Sequence, residues 1–324
     1  MDDEVVIVAD SESKGYDFAK GVFDYILRKG GRDFHVNLFD IERRSFPDTE
    51  YALRIAENIR NKKCVLVHDP NKDASVWFTD LALTLDALKF SSPTGISVVM
   101  PYMRFSRQDR KDESRISLSA KVVADLVSRY GDRAMTVDLH ASQVQGFFDI
   151  SLDNLYSRPV VVDHLKKHHE DLLEDLVIVS PDVGGGARAR SFQEALIKGG
   201  YDVGMGICDK KRDRKGKIVG MDVFGDVEGR NCLMMDDIIS TGSTMLKARE
   251  ILLGRGVKSV SAYGTHGFFL EGYNRFKDFD LVMVGDTIHT EPQDNLEVVS
   301  MKGLFGEAVY RNLTGQSLSS LFNQ

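Results

Sequence analysis

Cysteine is scarce in this chain of 324 residues: there are three, Cys64, Cys208 and Cys232, far apart inside apolar runs and without metal-ligand spacing. That usage excludes a disulfide framework and a zinc ribbon, and it reads as buried free thiols of a reducing compartment. No apolar run approaches the roughly 20 residues of a membrane-spanning helix. The acidic start Met-Asp-Asp-Glu lacks the long apolar region of a signal peptide. No G-x-x-x-x-G-K-[ST] occurs, so a nucleotide is not held by a Walker loop. Nor is there an excess of positive charge. Lys and Arg number 42 against 49 Asp and Glu, a net charge of −7 that argues against a general nucleic-acid binder. The expectation is a cytoplasmic protein, long enough for two ordinary domains.

Short β-branched runs alternate with amphipathic stretches throughout. Strands are predicted over 5–9, 34–38, 64–68, 96–100, 134–139, 177–180, 203–208, 232–235, 259–263 and 281–285, with helices between them such as 14–29, 74–90, 117–130, 159–173, 187–197, 245–253 and 302–313. This βαβ rhythm implies α/β architecture, with parallel sheets covered by helices on both faces. It restarts after the aromatic segment 146–150, where Asp153, Asn154 and Ser157-Arg158-Pro159 mark a connection. Two domains, 1–154 and 155–324, follow. They suggest a doubled α/β unit, although no residue-level similarity between the halves is visible. Ligands of such sheets sit beyond the carboxyl ends of the strands, and the informative motifs fall there.

The foremost is Asn-Cys-Leu-Met-Met-Asp-Asp-Ile-Ile-Ser-Thr-Gly-Ser-Thr, Asn231 to Thr244. An apolar strand runs into two adjacent carboxylates, then into hydroxyls and a glycine at the start of a helix. Asp236 and Asp237 suit vicinal sugar hydroxyls. Backbone amides with Ser240, Thr241, Gly242, Ser243 and Thr244 suit a phosphate at a helix N-terminus. A ribose 5-phosphate carries both groups. A plain N-capped turn is the competing reading, but a turn does not require the second aspartate.

Arg104 to Arg115 follows another strand with five cations and three acids, a composition that fits either a charged surface loop or a polyphosphate site. The strand over 134–139 runs into His140, by itself most simply a structural hydrogen-bonding residue. Ser180-Pro181-Asp182-Val183-Gly184-Gly185-Gly186 enters a helix, and Gly184, Gly186 and Ala189 formally satisfy a G-x-G-x-x-A dinucleotide fingerprint. Asp182 beside a pyrophosphate weakens that reading unless a metal intervenes. Residues 209–217 hold six cations against two acids. They read as a mobile loop able to close over substrates, without the aromatic residues of a nucleic-acid strip. His164, His168 and His169 have i, i+4 spacing on a predicted helix but no accompanying carboxylate of zincin type, and read as surface residues.

The loop from Asp236 to Thr244 resembles the phosphoribosyl-pyrophosphate loop shared by type I phosphoribosyltransferases and ribose-phosphate pyrophosphokinases. The latter often carry an acidic residue where this chain has Ser240. Together with Arg107-Gln108-Asp109, the phrase Asp138-Leu139-His140-Ala141-Ser142-Gln143, Lys210-x-Arg212 and Phe46-Pro47-Asp48-Thr49-Glu50, the chain resembles ribose-phosphate pyrophosphokinases over nearly its whole length. The resemblance implies two tandem type I phosphoribosyltransferase-like domains. It implies transfer of the β,γ-diphosphoryl group of ATP to ribose 5-phosphate, with Mg2+ as cofactor. It also implies roles. Phe46, Asp48, Glu50, Arg107, Gln108 and Asp112 would bind ATP, and His140 and Asp182 the magnesium. Lys210 and Arg212 would be catalytic, and Asp236 to Thr244 would hold ribose 5-phosphate. Thr49 stands where the family usually has glycine. No nucleic acid or membrane partner is implied, and a homo-oligomer is. A phosphoribosyltransferase acting on a nucleobase and a non-catalytic regulatory homologue are the alternatives.

Overall fold

The apolar runs become the centres of two sheets, because a parallel strand covered on both faces buries every side chain. The structure, a computed structural model, describes residues 4–31, 34–212 and 218–322, and of residues 210–212, 218–220 and 322 only the backbone. One compact unit comprises the chain through Tyr156, Thr287–His289 and the chain from Met301. The other comprises Ser157–Asp286 and Thr290–Ser300. The first contains β1 (Val5–Ala9), α1 (Tyr16–Gly30), β2 (Val36–Ser45), β3 (Tyr51–Ile55), β4 (Lys63–Val67), α2 (Ala74–Phe90), β5 (Gly95–Val99), α3 (Ser119–Tyr130), β6 (Arg133–Val137) and β7 (Ser151–Leu155). The second contains α4 (Arg158–His168), α5 (Glu170–Leu173), β8 (Leu176–Ser180), α6 (Gly186–Lys198), β9 (Val203–Arg212), β10 (Ile218–Phe224), β11 (Asn231–Ile239), α7 (Ser243–Gly254), β12 (Ser259–Gly267), β13 (Val282–Gly285) and β14 (Leu296–Val299). The chain then adds α8 (Lys302–Leu313) and α9 (Ser319–Phe322) to the first unit.

The sheets have seven strands each and the same plan: β3-β2-β1-β4-β5-β6-β7 and β10-β9-β8-β11-β12-β13-β14. In each, all neighbours pair in parallel except one antiparallel edge hairpin, β2 with β3 and β9 with β10. The doubling that residue identities hide is therefore explicit in topology. Helices cover the sheets through apolar stripes. In α2, Trp77, Leu81, Leu85 and Leu88 recur at helical spacing and are fully buried. Each such side chain contributes about 1.5–3 kcal/mol by leaving water.

Two expectations are corrected. The second unit does not run to residue 324. α8 returns to the first unit, where Phe305 packs edge-on against Phe18 at 5.4 Å and the Tyr25 hydroxyl donates to Glu307 Oε2 at 2.8 Å. Asp153 and Asn154, expected in a connection, lie in β7. There Arg133 Nη2 donates to Asp153 Oδ1 at 2.8 Å and Asn154 Oδ1 accepts the Leu139 amide at 3.0 Å, partners that override the turn preference of both residues. The cysteines are buried, with burial pushing the Cys64 and Cys232 thiols up to about 12. Among the described residues no helix is long and apolar enough to cross a membrane.

Candidate functional site

Strand order reverses between β8 and β11 in the second unit, which opens a crevice at their carboxyl ends. β11 outruns its neighbour there. Its pairing with β8 stops at Met234, whereas its pairing with β12 continues to Ile239. Asp236 and Asp237 thus lie within the strand, on the stretch that β8 leaves uncovered, and not beyond its end as the sequence suggested. Asp237 is buried and Asp236 half-buried. Burial, then the charge of Asp237, pushes the Asp236 carboxyl well up, and Arg188 partly opposes that shift. Arg188 stands in the first turn of α6 and reaches both carboxylates, at 2.8 Å from Asp237 Oδ1 and 3.5 Å from Asp236 Oδ1. Sequence reasoning did not single it out. Its signal was a cation in the first turn of a helix, where the helix dipole disfavours positive charge and a carboxylate partner must compensate.

After β11 the chain turns through Ser240, Thr241 and Gly242 into α7. Gly242 adopts φ 75°, and a Cβ there would lie 2.1 Å from Phe276 Cζ, so both conformation and space demand glycine. The loop's carbonyls are held by protein. Ser240 O accepts the Leu270 amide at 3.0 Å, and Thr241 O accepts Arg275 Nη1 at 3.0 Å. Thr241 Oγ1 and Ser243 Oγ lie 3.0 Å apart. The first-turn amides of α7 have no acceptor within the helix, which is the geometry that receives a phosphate. At the end of β8, Asp182 Oδ1 accepts the Gly185 amide at 3.0 Å and Ser180 Oγ donates to Asp182 O at 2.6 Å. This turn leads into α6 and fixes the Asp182 carboxylate.

The equivalent crevice of the first unit, between β1 and β4, is built differently. Lys72 Nζ lies 2.6 Å from Asp10 Oδ2 and 2.7 Å from Asp80 Oδ2, and Arg43 and Tyr51 also bind Asp80. Burial opposes ionisation of Asp80, and these partners more than reverse it, holding its carboxyl below the usual range. The two-carboxylate strand with a phosphate-type turn occurs, among the described residues, in the second unit alone.

The expected nucleotide residues of the first unit fall into two groups. Phe46, Asp48 and Glu50 are exposed at the tip of the β2–β3 hairpin. Thr49 N donates to Phe46 O, Phe46 N donates to Glu50 O, and Thr49 has φ 75°. This is a three-residue hairpin loop whose last position favours glycine. Arg107, Gln108 and Asp112 follow β5. Asp109 accepts Gln143 Nε2 at 2.7 Å, which brings this loop to the segment that follows the exposed His140. In the second unit, Lys210 and Arg212 lie on β9, opposite Met221 and Ile218 of β10. They extend the strand where the sequence predicted a loop, and the Lys210 and Arg212 side chains and residues 213–217 lie outside the described residues. β2 and β9 share this construction: each pairs in parallel in its first half and forms an overhanging antiparallel hairpin in its second.

Comparison with known proteins gives this geometry its context. Residues 8–131 match the family model "N-terminal domain of ribose phosphate pyrophosphokinase", and residues 151–267 match "Phosphoribosyl transferase domain". A ribose-phosphate pyrophosphokinase from Agrobacterium fabrum is 40% identical over 86% of this chain and 91% of its own length. This chain belongs to the ribose-phosphate pyrophosphokinase family. The relative from Hyphomonas neptunium is also 40% identical, over 87% of this chain and 91% of its own. A crystal structure of phosphoribosylpyrophosphate synthetase from Mycobacterium smegmatis shares the fold with a TM-score of 0.81, covering 97% of this chain and 99% of that one at 28% identity. The chain is accordingly an enzyme. Its phosphoribosyltransferase likeness is the fold that pyrophosphokinases and transferases share, and the dinucleotide fingerprint at Gly184 is incidental to the turn that holds Asp182.

Proposed function

We propose that this pyrophosphokinase transfers the β,γ-diphosphoryl group of magnesium ATP to the anomeric hydroxyl of ribose 5-phosphate, giving phosphoribosyl pyrophosphate and AMP. The anomeric oxygen forms a bond to the β-phosphorus, the bond from that phosphorus to the oxygen bridging to the α-phosphate breaks, and the hydroxyl proton is released. The observation that carries this reading is the pairing of two adjacent strand carboxylates with a phosphate-type helix start at the second unit's switch point, in a chain of this family.

In this reading Asp236 and Asp237 accept the ribose hydroxyls, and the turn Ser240, Thr241, Gly242, Ser243 and Thr244 receives the 5-phosphate. Diphosphoryl transfer needs positioning and charge neutralisation more than covalent help. We assign the neutralising cations to Lys210 and Arg212. Phe46, Asp48, Glu50, Arg107, Gln108 and Asp112 hold ATP. His140 of the first unit and Asp182 of the second are each assigned a contact to Mg2+. A carboxylate oriented by the Gly185 amide fits an ion that is usually held by one or two carboxylates together with substrate phosphates. Bound there, the ion would neutralise charge on the phosphate oxygens. The exposed hairpin tip at Phe46 supports a homo-oligomer, and three cysteines, all buried and far apart in sequence, support a cytoplasmic enzyme.

The test is direct. Purified protein given ATP, magnesium and ribose 5-phosphate should release AMP and form phosphoribosyl pyrophosphate in equal amounts. ADP as the sole nucleotide product, or no AMP, would rule the reaction out. A nucleobase with phosphoribosyl pyrophosphate should give no nucleotide.

A further inference from the structure

Residues far apart in sequence meet at the end of α4. His164 lies in the last turns of that helix and His169 immediately follows it. Both point Nε2 at one atom, Glu297 Oε2 on β14, at 2.9 Å and 2.8 Å. The sequence offered no zincin-type carboxylate for these histidines, and the fold supplies a carboxylate from about 130 residues further on. The three ligand atoms lie within 4.8 Å of one another. The His168 ring stands beside them, its centroid 4.7 Å from that of His164. His164 and His169 are about one-fifth exposed and Glu297 two-fifths, so solvent and ions reach the group.

We infer that His164, His169 and Glu297 form a binding site for a zinc-class divalent cation, separate from the substrate crevice and independent of the reaction proposed above. Two imidazole nitrogens converging on a single point is what a metal requires, since a neutral ring directs its lone pair where the N–H now lies. Zinc accepts nitrogen at about 2.0–2.1 Å and carboxylate oxygen at about 2.0–2.2 Å. Small side-chain rotations bring the three donors to an ion at their centre. Two nitrogens and one oxygen suit zinc, nickel, cobalt or copper better than magnesium, which prefers carboxylate and phosphate oxygens and water. Three protein ligands leave a fourth position for water. The bland account is that Glu297 merely accepts two hydrogen bonds and ties α4 to β14. It makes no prediction for metals. Because the ligands come from two elements of the same unit, the ion would fasten α4 to β14 and stabilise that unit on binding.

The test uses the full chain stripped of metal, in excess magnesium so that oxygen-lined sites are filled. Zinc is titrated against a chromophoric chelator, and cobalt is added separately to read visible d–d absorption. One zinc per chain should bind with micromolar or tighter affinity. Cobalt should give the intense bands of four-coordination. His164→Ala together with His169→Ala should abolish both signals. Glu297→Gln, which keeps a hydrogen-bond acceptor and so guards against misfolding, should weaken zinc by at least roughly tenfold, the loss that even an outer partner of a ligand can cause. Zinc should also raise the unfolding temperature of the wild type, and that of Glu297→Gln by less at the same zinc concentration. Absence of stoichiometric zinc in the wild type, or unchanged zinc affinity in folded variants, would overturn the site.

Discussion

Arg188 Nη1 lies 2.8 Å from Asp237 Oδ1 and 3.5 Å from Asp236 Oδ1, so one guanidinium serves two successive carboxylates at the end of β11. Two acids this close, one of them buried, tend to hold a proton between them, and the guanidinium opposes that tendency. Arg188→Ala should therefore weaken ribose 5-phosphate by tenfold or more, about 1.4 kcal/mol, and leave ATP affinity little changed. The pH dependence follows from the same pair. Burial, then the neighbouring charge of Asp237, pushes the Asp236 carboxyl well above the usual carboxylate range, so sugar affinity should rise with pH as more carboxylate becomes available to accept hydroxyls. Without the guanidinium the rise should move to higher pH. Calorimetry of sugar binding from pH 6 to 9 checks both, and an unshifted profile in the variant would show that Arg188 does not tune the pair.

The turn beyond those aspartates has no tolerance for a side chain. Gly242 combines a left-handed φ of 75° with a neighbouring Phe276 ring that occupies the place of a Cβ. Gly242→Ala carries about 1–2 kcal/mol for the backbone and about 1–3 kcal/mol for overpacking against a buried ring. Ribose 5-phosphate binding should fall below detection while the protein keeps its overall secondary structure by circular dichroism. Normal sugar affinity in this variant would mean the phosphate binds elsewhere.

Much of this site was legible in the sequence, because its signals are local. A doubled aspartate, a run of hydroxyls and one glycine between an apolar strand and a helix stay together whatever the tertiary context. What could not be read depends on pairing at a distance. The sequence ended the strand near Met235, although β12 supports β11 as far as Ile239. It left residues 209–212 in a loop, although β10 holds them in an antiparallel overhang. Arg188 gained its meaning from carboxylates about fifty residues away, and Glu297 joined histidines it resembles in no local pattern. Charged strands at sheet edges lack the apolar alternation by which strands are recognised. The α8 return was hidden for a different reason: helical periodicity names a buried face but not the surface that buries it.

Lys210 occupies the overhang of β9 that corresponds in topology to the overhang of β2 bearing Phe46 and Glu50. A cation that acts on the migrating diphosphoryl group and not on the resting sugar should affect turnover alone. Lys210→Ala should reduce kcat by about two to three orders of magnitude, the scale of one lost transition-state donor. Ribose 5-phosphate affinity should be unchanged. Near-normal turnover would remove Lys210 from the reaction.

Thr49 carries a β-branched side chain at φ 75°, in the hairpin position that glycine usually fills. The left-handed conformation costs about 1–2 kcal/mol for such a residue, and glycine returns about 0.5–1 kcal/mol through its freer unfolded chain. Thr49→Gly should thus stabilise the first unit by up to about 1 kcal/mol. Because the tip is exposed, the gain should appear without new contacts, as a slightly higher unfolding temperature. A lower one would show that the threonine side chain has a role of its own at the tip.

His68 gives the first unit an acid sensitivity of calculable sign. The ring is buried, with Nε2 2.9 Å from the Trp77 carbonyl, and burial brings its pKa down to about 4 from an ordinary 6.5. Folded, the imidazole is neutral and donates Nε2–H. Unfolded, it takes up a proton below about 6.5. The unfolded state therefore binds more protons in the window from about 6.5 to about 4, and stability contributed by the neutral ring is full above that window and lost as pH falls through it. At about 1.4 kcal/mol for each pH unit the loss approaches 3 kcal/mol. His68→Gln keeps an amide that can donate to the Trp77 carbonyl and has no proton to gain, so its stability should fall less over the same window. Hydrogen exchange of β1 and β4 amides between pH 7 and pH 4.5, corrected for intrinsic rates, reads the difference within this unit. Wild type and variant should diverge steadily below pH 6.5, and parallel curves would mean that His68 is solvated and titrates normally.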